Sequence, residues 1–361
     1  MGCNIDEKKA DINIELNKVC YFPEEYILGT IIIFPKLENI EPFNENPELI
    51  IKLEENQIST YRKQNGYSFS IEKISINNIL IDKRLNLKDS IIQDYSAGIK
   101  VPFSVQIPKR AYPTVIYFNF AFINHIFIVE IPCCNVRGIK NIVIKNTFPE
   151  NVLIKNIERN SKFKKSKLCS NKGSISCKVK LPKNYFFYNE NIPFEVNIDC
   201  SKLDLKIKGI KAILFRIITR KIGKTDCCSY NGLEKFEIPI IYKDIPLEKG
   251  LTMYNIFNFI NLYPLNAYEE LEKQGLDKVN EEQIGKKINQ LFPCCNSELI
   301  SIVYFLKIQV NFDTLFTSDE NIINIPLYFT ENNICNSSLK NQIFNSKTGK
   351  FEIDENLIKY T

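Results

Sequence analysis

The chain has 361 residues, 47 of them basic and 42 acidic, for a net charge of +5. Its apolar fraction of 44% and charged fraction of 25% are those of a globular protein and exclude general disorder. So small a charge gives no support to general nucleic-acid binding, which needs a concentrated basic face, so no nucleic-acid partner is expected, and the length suits two domains of ordinary size.

Residues 1–9 form a polar leader that begins Met1-Gly2-Cys3. Loss of Met1 exposes Gly2 for N-myristoylation, and Cys3 beside it is suited to palmitoylation. Two acyl chains anchor stably where one holds only marginally. Asp6 departs from the preferred Ser or Thr of the myristoylation signal. The plainer reading is an ordinary polar start; the expectation carried forward is acylation at Gly2 and Cys3. The leader has no apolar run of a secretory signal, so the expected location is the cytoplasm, at the cytosolic face of a membrane. The twelve cysteines are then expected as reduced thiols. Three pairs are adjacent: Cys133-Cys134, Cys227-Cys228 and Cys294-Cys295. Neighbours on a strand point to opposite faces and lack the spacing of a zinc site, so no metal site is expected.

Alternating strands are expected at 10–16, 26–34 and 48–54, with a proline-bearing loop at 35–47. Residues 62–97 resist placement, but Ile74 and Ile76, or Ile79 and Ile81, suit an edge strand. Gly98 to Pro113 contains a strand with Val101, Phe103, Val105 and Ile107 on one face, stopped by Pro108. Tyr112 to Val129 carries no charge and is long enough to span a bilayer as a helix. Its Pro113, Asn119, Asn124 and His125, and the alternation of Ile116, Phe118, Phe120 and Phe122, read instead as one long strand or two short ones. A further strand follows at 139–145.

Residues 149–172 read as a basic linker in which Lys162, Lys164, Lys165 and Lys167 flank Phe163. A solvated loop is the plain reading, and contact with anionic lipid the functional one. Strands resume at Ser174, and Ile210 to Ile218 is a buried one. Residues 266–291 suggest one or two surface helices, divided at Gly275. Strands return at Leu299–Val310 and Asn321–Phe329. The tail, 331–361, is polar, with a hairpin turn expected at Lys347-Thr-Gly-Lys350.

One phrase is written twice, about 165 residues apart. Ala10–Leu16, the segment Tyr21-Phe-Pro-Glu-Glu-Tyr-Ile-Leu-Gly29 and Thr30–Ile33 are echoed by Ser174–Leu181, the segment Phe187-Tyr-Asn-Glu-Asn-Ile-Pro193 and Phe194–Ile198. Each turn carries a glutamate, Glu25 or Glu190. A single repeat at this spacing means two similar domains rather than a solenoid.

With these strands in place the chain resembles the arrestin superfamily. Tyr21-Phe-Pro-Glu-Glu-Tyr-Ile-Leu-Gly29 is similar to the family's first hairpin, Tyr-x-Pro-Gly-Glu-x-Val-x-Gly. Gly98 to Pro113 resembles its phrase of Gly, Pro-Phe, an alternating strand and Pro. Ser174 to Ile198 resembles the opening of the family's C-terminal domain, and Ser297 to Val310 with Ile325-Pro326-Leu327 its closing strands. Glu24 stands where the first turn usually has Gly, and Tyr188-Asn189 replace the second turn's Pro-Gly. Glu54-Glu55 follow Leu53 where a glycine is usual. The spacing after Ile139 is closer to the α-arrestins and Vps26-type proteins than to receptor-desensitising arrestins. No phosphate-sensing residues are carried over, and the chain has no Pro-Pro-x-Tyr motif.

The resemblance implies an all-β protein of two tandem immunoglobulin-like sandwiches, at 10–148 and 173–330, the second with the helical insertion. It also implies a non-enzymatic adaptor or scaffold binding membrane-protein cargo or trafficking machinery. The alternatives are a Vps26-like subunit of a cargo-sorting complex and a component of a membrane-associated skeleton. No nucleotide-binding or hydrolase motif is present. His125 is the only histidine and lies within an apolar strand pattern, so it is expected as a packed core or edge residue rather than as a base. No catalytic residue, cofactor or small-molecule substrate is expected.

Overall fold

The computed structural model describes residues 10–36, 48–65, 68–87, 98–117, 121–147, 153–167, 170–188, 190–203, 207–222, 232–248, 250–260, 293–312, 322–330, 342–345 and 350–353. They are almost entirely β-structure, as expected from the alternation of the chain. The chain forms two compact units, which divide first between Asn146 and Thr147, and the tail from Asn332 belongs with the first.

The first unit contains β1 (Ala10–Leu16), β2 (Cys20–Tyr21), β3 (Tyr26–Pro35), β4 (Glu48–Asn65), β5 (Ser68–Asn86), β6 (Ile99–Gln106), β7 (Val115–Tyr117), β8 (Ala121–Ile131) and β9 (Val136–Ile144). One sheet has the order β1-β3-β6, and the other β2-β9-β8-β4-β5 with β7 on β8. Alternation on β3, β4, β6 and β8 puts Ile31, Ile51, Val101, Phe103, Phe127 and Val129 in one core. There Phe103 stacks on Phe127 with ring centroids 5.1 Å apart. Most pairing is antiparallel, but β2 runs parallel to β9.

The second unit contains β10 (Lys155–Lys167), β11 (Ser170–Lys183), β12 (Tyr185–Phe187), β13 (Ile192–Leu203), β14 (Ile207–Lys221), β15 (Leu233–Pro246), β16 (Met253–Ile260), β17 (Cys295–Asn296), β18 (Ile300–Phe312) and β19 (Ile322–Thr330). Its sheets have the orders β10-β11-β13-β16 and β12-β19-β18-β14-β15, with β17 on β18. The core holds Phe194, Val196, Ile302, Tyr304 and Phe329, with Tyr304 edge-on to Phe329 at 5.0 Å. Strand β12 is parallel to β19, so the written repeat is also a topological one. In the tail, β20 (Gln342–Asn345) and β21 (Lys350–Ile353) pair as a hairpin.

Three expectations change. The basic run expected as a linker is mostly strand β10, paired along its length with β11, Phe163 opposite Ile175. Ile157 and Phe163 are buried while Lys162 is exposed, so the run is a half-buried strand rather than a loop. Lysines on an edge strand also oppose pairing with another chain. Secondly, the edge strand expected of Ile74 and Ile76, or of Ile79 and Ile81, is β5, which ends its sheet among the described residues and holds both pairs, on different faces. A bulge shifts the β4–β5 register between Leu53 and Glu54, leaving Ile79 exposed while Ile81 packs on the core. Thirdly, Cys133 and Cys134 lie in a 3-10 turn, Pro132–Cys134, not on a strand. The expected helices at 266–291 and the turn residues 346–349 lie outside the described residues.

Glu24 shows what the missing turn glycine entails. Pro23 precedes it, its φ is +68°, and Glu25 N–H donates to Phe22 O at 3.2 Å. Pro followed by a positive φ is the signature of a type II turn, whose third position favours glycine. A Cβ in this left-handed region costs about 1–2 kcal/mol. We therefore expect Glu24→Gly to raise the urea midpoint and Glu24→Ile to lower it. Gly29 is constrained differently: a Cβ there would run into the Glu15 carbonyl oxygen and the Phe103 ring. Gly29→Ala is expected to lose about 1–3 kcal/mol or more in the same unfolding measurement.

Candidate functional site

Of the residues expected to carry function, Gly2 and Cys3 lie outside the described residues. Lys162 is exposed on β10. Lys164, Lys165 and Lys167 share that strand, but their side chains lie outside the described residues.

The two turn glutamates do the same thing in both units. Glu25 Oε2 accepts the Phe22 N–H at 2.8 Å and the Lys18 ammonium at 2.7 Å. Glu190 Oε2 accepts the Phe187 N–H at 2.8 Å, and its carboxylate takes the Lys183 ammonium at 2.7 and 3.0 Å. Each lysine also lies over aromatic rings of its short parallel strand. Lys18 is 5.0 Å from the Tyr21 ring, and Lys183 is 5.1 Å from Tyr185 and 5.2 Å from Phe186. The sequence pointed to the glutamates but not the lysines, although each lysine stands seven residues before its glutamate. In each unit the pair clamps the turn to the short strand before it.

His125 belongs to a second constellation that the sequence did not reveal. The inner face of β4 is apolar through Leu53 and then turns polar at Glu55, Gln57 and Ser59, all buried. Glu55 Oε1 accepts from Gln57 at 3.0 Å and Asn78 at 3.1 Å, and its Oε2 accepts the Tyr112 N–H at 2.9 Å. His125 Nε2 lies 3.4 Å from Glu55 Oε2, and Nδ1 lies 3.0 Å from Thr114 Oγ1. Thr114 Oγ1 in turn accepts the Ile144 N–H at 2.8 Å. A neutral ring protonated at Nε2 satisfies all these contacts, receiving the Thr114 hydroxyl at Nδ1 and donating to Glu55.

Burial pushes the His125 pKa below its ordinary value, against the pull of Glu55. Burial alone would raise the Glu55 pKa. The bonds from His125, Tyr112, Gln57 and Asn78 together outweigh it and hold the carboxyl below its ordinary range. This is an ionised carboxylate beside a neutral imidazole, a pairing found in catalytic sites. Yet His125 has no exposed surface and Thr114 almost none, so a substrate atom reaches neither. The cluster ties the segment before β7 to β4, β8 and β9. Among the described residues no group of three or more metal-binding side chains converges, and no helix is long and apolar enough to cross a membrane.

The accessible features lie on the second unit. Strand β16 ends its sheet among the described residues, paired only with β13. Its outer face presents Met253, Phe257 and Phe259, of which Phe257 is 78% exposed. Across the sheet Phe257 continues a row through Glu195, Lys180 and Glu158, which lines an open groove of about 300 Å³ with Pro182 and Pro193. Lys180 meets Glu195 at 3.1 Å, and Lys178 meets Glu158 at 2.7 Å. Sequence reading passed over this strand, whose signal was the period-two spacing of Met253, Phe257 and Phe259.

Two outcomes test these arrangements. Glu25→Ala is expected to destabilise the protein by about 1.5–3 kcal/mol, since it leaves a buried N–H and a lysine without their charged acceptor. Glu190→Ala should cost less, because Glu190 is 35% exposed and Glu25 only 4%. The buried pair sets the second outcome. The folded pKa of His125 is below its ordinary 6.5, so the unfolded chain binds that proton more readily. Its contribution is full above pH 6.5 and is lost as the pH falls below it. The Glu55 contribution is full above its ordinary 4.5 and is lost as the pH falls through the lowered folded value. Urea midpoints should therefore fall on acidification below about pH 6.5, and His125→Gln should flatten the upper part of that fall.

Against this geometry, residues 171–333 match the family model described as arrestin (or S-antigen), C-terminal domain. No curated protein matches the chain. The matched region runs from β11 to β19 and takes in every strand of the second sandwich except β10. The protein thus carries an arrestin C-terminal domain, a β-sandwich of a family that generally consists of non-enzymatic adaptors, and this match supports its membership of the arrestin superfamily.

Proposed function

We propose that this protein is a non-enzymatic, arrestin-like adaptor or scaffold for protein partners in membrane trafficking or signalling. The observation that carries the reading is the arrestin C-terminal match over residues 171–333. The β16 edge supports it. An exposed strand end offers backbone groups to an extended peptide, and Met253, Phe257 and Phe259 offer apolar contact beside them. The buried imidazole–carboxylate pair without access to substrate fits a scaffold better than an enzyme. Acyl groups on Gly2 and Cys3 would hold the scaffold on the cytosolic face of a membrane, and the lysines of β10 would add contact with anionic lipid.

Quantitative affinity capture from cells tests the reading. Wild type should capture membrane proteins or sorting machinery. Phe257→Asp should lose most of that capture while unfolding within about 0.5 kcal/mol of wild type, as an exposed substitution does. A partner set without membrane or sorting proteins would sink the proposal, and capture unchanged by Phe257→Asp would remove β16 from it. A fixed stoichiometric complex would point instead to a sorting-coat subunit. Membrane fractionation of Gly2→Ala and Cys3→Ala tests the anchor. Both variants should move to the soluble fraction; retention of both at wild-type levels counts against acylation.

A further inference from the structure

We infer that Cys133 and Cys134 form a peroxide-oxidisable dithiol, with Cys133 the reacting thiol and Cys134 its resolving partner. Adjacent side chains on an extended strand project to opposite faces. Here β8 ends at Ile131 and the chain enters the 3-10 turn Pro132–Cys134. Asn135 follows at φ +50°, its N–H donating to Pro132 O at 3.1 Å. That curvature brings the two sulfurs to 3.7 Å. Both cysteines are thiols; Cys133 is exposed, whereas Cys134 is buried in the core of the first unit.

An accessible thiol poised beside a resolving cysteine is the arrangement of a redox-sensing pair. By contrast, Cys177 and Cys294 are buried, and burial pushes both thiols up to about 12, away from the reactive thiolate. The oxidant is hydrogen peroxide. The Cys133 thiolate attacks one peroxide oxygen; the S–O bond forms, the O–O bond breaks, and the hydroxide released takes a proton to become water. Cys134 sulfur then attacks the Cys133 sulfenic sulfur. The S–S bond forms, the S–O bond breaks, and hydroxide leaves with the Cys134 proton as a second water. Two thiols and one peroxide give one disulfide and two waters.

The product is a labile bond. Consecutive Cα atoms are held about 3.8 Å apart, below the roughly 4.4–6.8 Å usual for bridged cysteines. Such strain favours reduction by a dithiol, which makes the oxidation reversible. The ring would also act on the core, because Ile131 and Val136 on either side of the turn are buried.

Tryptic cleavage after Arg110 and Arg137 yields peptide 111–137, whose only cysteines are this pair. The reduced full-length protein is treated with hydrogen peroxide, quenched, alkylated under denaturing conditions and digested. The expected result is an unalkylated peptide lighter by about 2 Da than the reduced one, restored by dithiothreitol. In Cys134→Ala, dimedone should trap a sulfenic acid on Cys133; in Cys133→Ala, neither product should form. The inference is overturned if wild-type peptide 111–137 carries two alkyl groups after peroxide. It is equally overturned if the peptide is cross-linked to another cysteine, or reaches sulfinic acid without the loss of two hydrogens. These readouts on wild type stand whether or not the Cys134 variant folds.

Discussion

A carboxylate at the start of a strand holds each half of this protein in register. In both units a short strand runs parallel to the last strand of its sheet, and parallel neighbours cannot be joined by a tight turn. The chain must therefore leave one sheet, add a few residues to the other and return. Glu25 and Glu190 close that excursion by accepting the N–H three residues earlier, while a lysine neutralises each carboxylate and covers the aromatic rings of the short strand. The two long strands that follow, β3 and β13, begin from these turns. Their pairing with β6 and β16 then sets the remaining order of the first sheet in each unit. The missing turn glycine shows how strongly this geometry is imposed, since Glu24 adopts a left-handed conformation rather than altering the turn.

The first unit departs from a purely apolar sandwich in one place. Beyond Leu53 the interior of β4 becomes polar, and the cost of burying Glu55 is offset only because every neighbour supplies a donor: two side-chain amides, one backbone N–H and one imidazole. Removing water from a carboxylate is costly enough that such a network is all or nothing. Four separate stretches of chain converge on it: β4, β5, β8 and the segment before β7. The cluster therefore makes the fold of this unit sensitive to acid without offering a site to a substrate.

The second unit divides its tasks between its two ends. Strand β10 closes one edge of the four-stranded sheet with a basic run, while β16 closes the other with exposed apolar side chains. Lysines on the first oppose casual strand pairing; the second carries little to prevent it. At its end Lys243 of β15 donates to the Phe259 carbonyl at 2.7 Å and lies 4.5 Å from the ring, limiting how far along the edge a partner strand can extend. Among the described residues the sheet is therefore asymmetric, with one edge basic and the other apolar.

The amino-acid order by itself determined the β class, the duplicated phrase, most of the long strands and the resemblance to arrestins. Alternation of period two is a local signal, and it survives wherever a strand has one wet face. His125 was legible as a packed residue for the same reason, although core and edge were not told apart. Local signals do not report which strands meet. Glu55 and His125 are 70 residues apart, and only the antiparallel register of β4 on β8 sets them opposite one another. The edge strand hidden in the basic run was missed because lysine is a poor marker of burial, although Ile157 and Phe163 recur on one face. The face of Ile79 depended on a bulge, and the sulfur pairing of Cys133 with Cys134 on a single turn. Composition and periodicity thus decided what kind of protein this is; tertiary structure decided which polar groups are brought together, because register, bulges and turns act between residues that the chain keeps far apart.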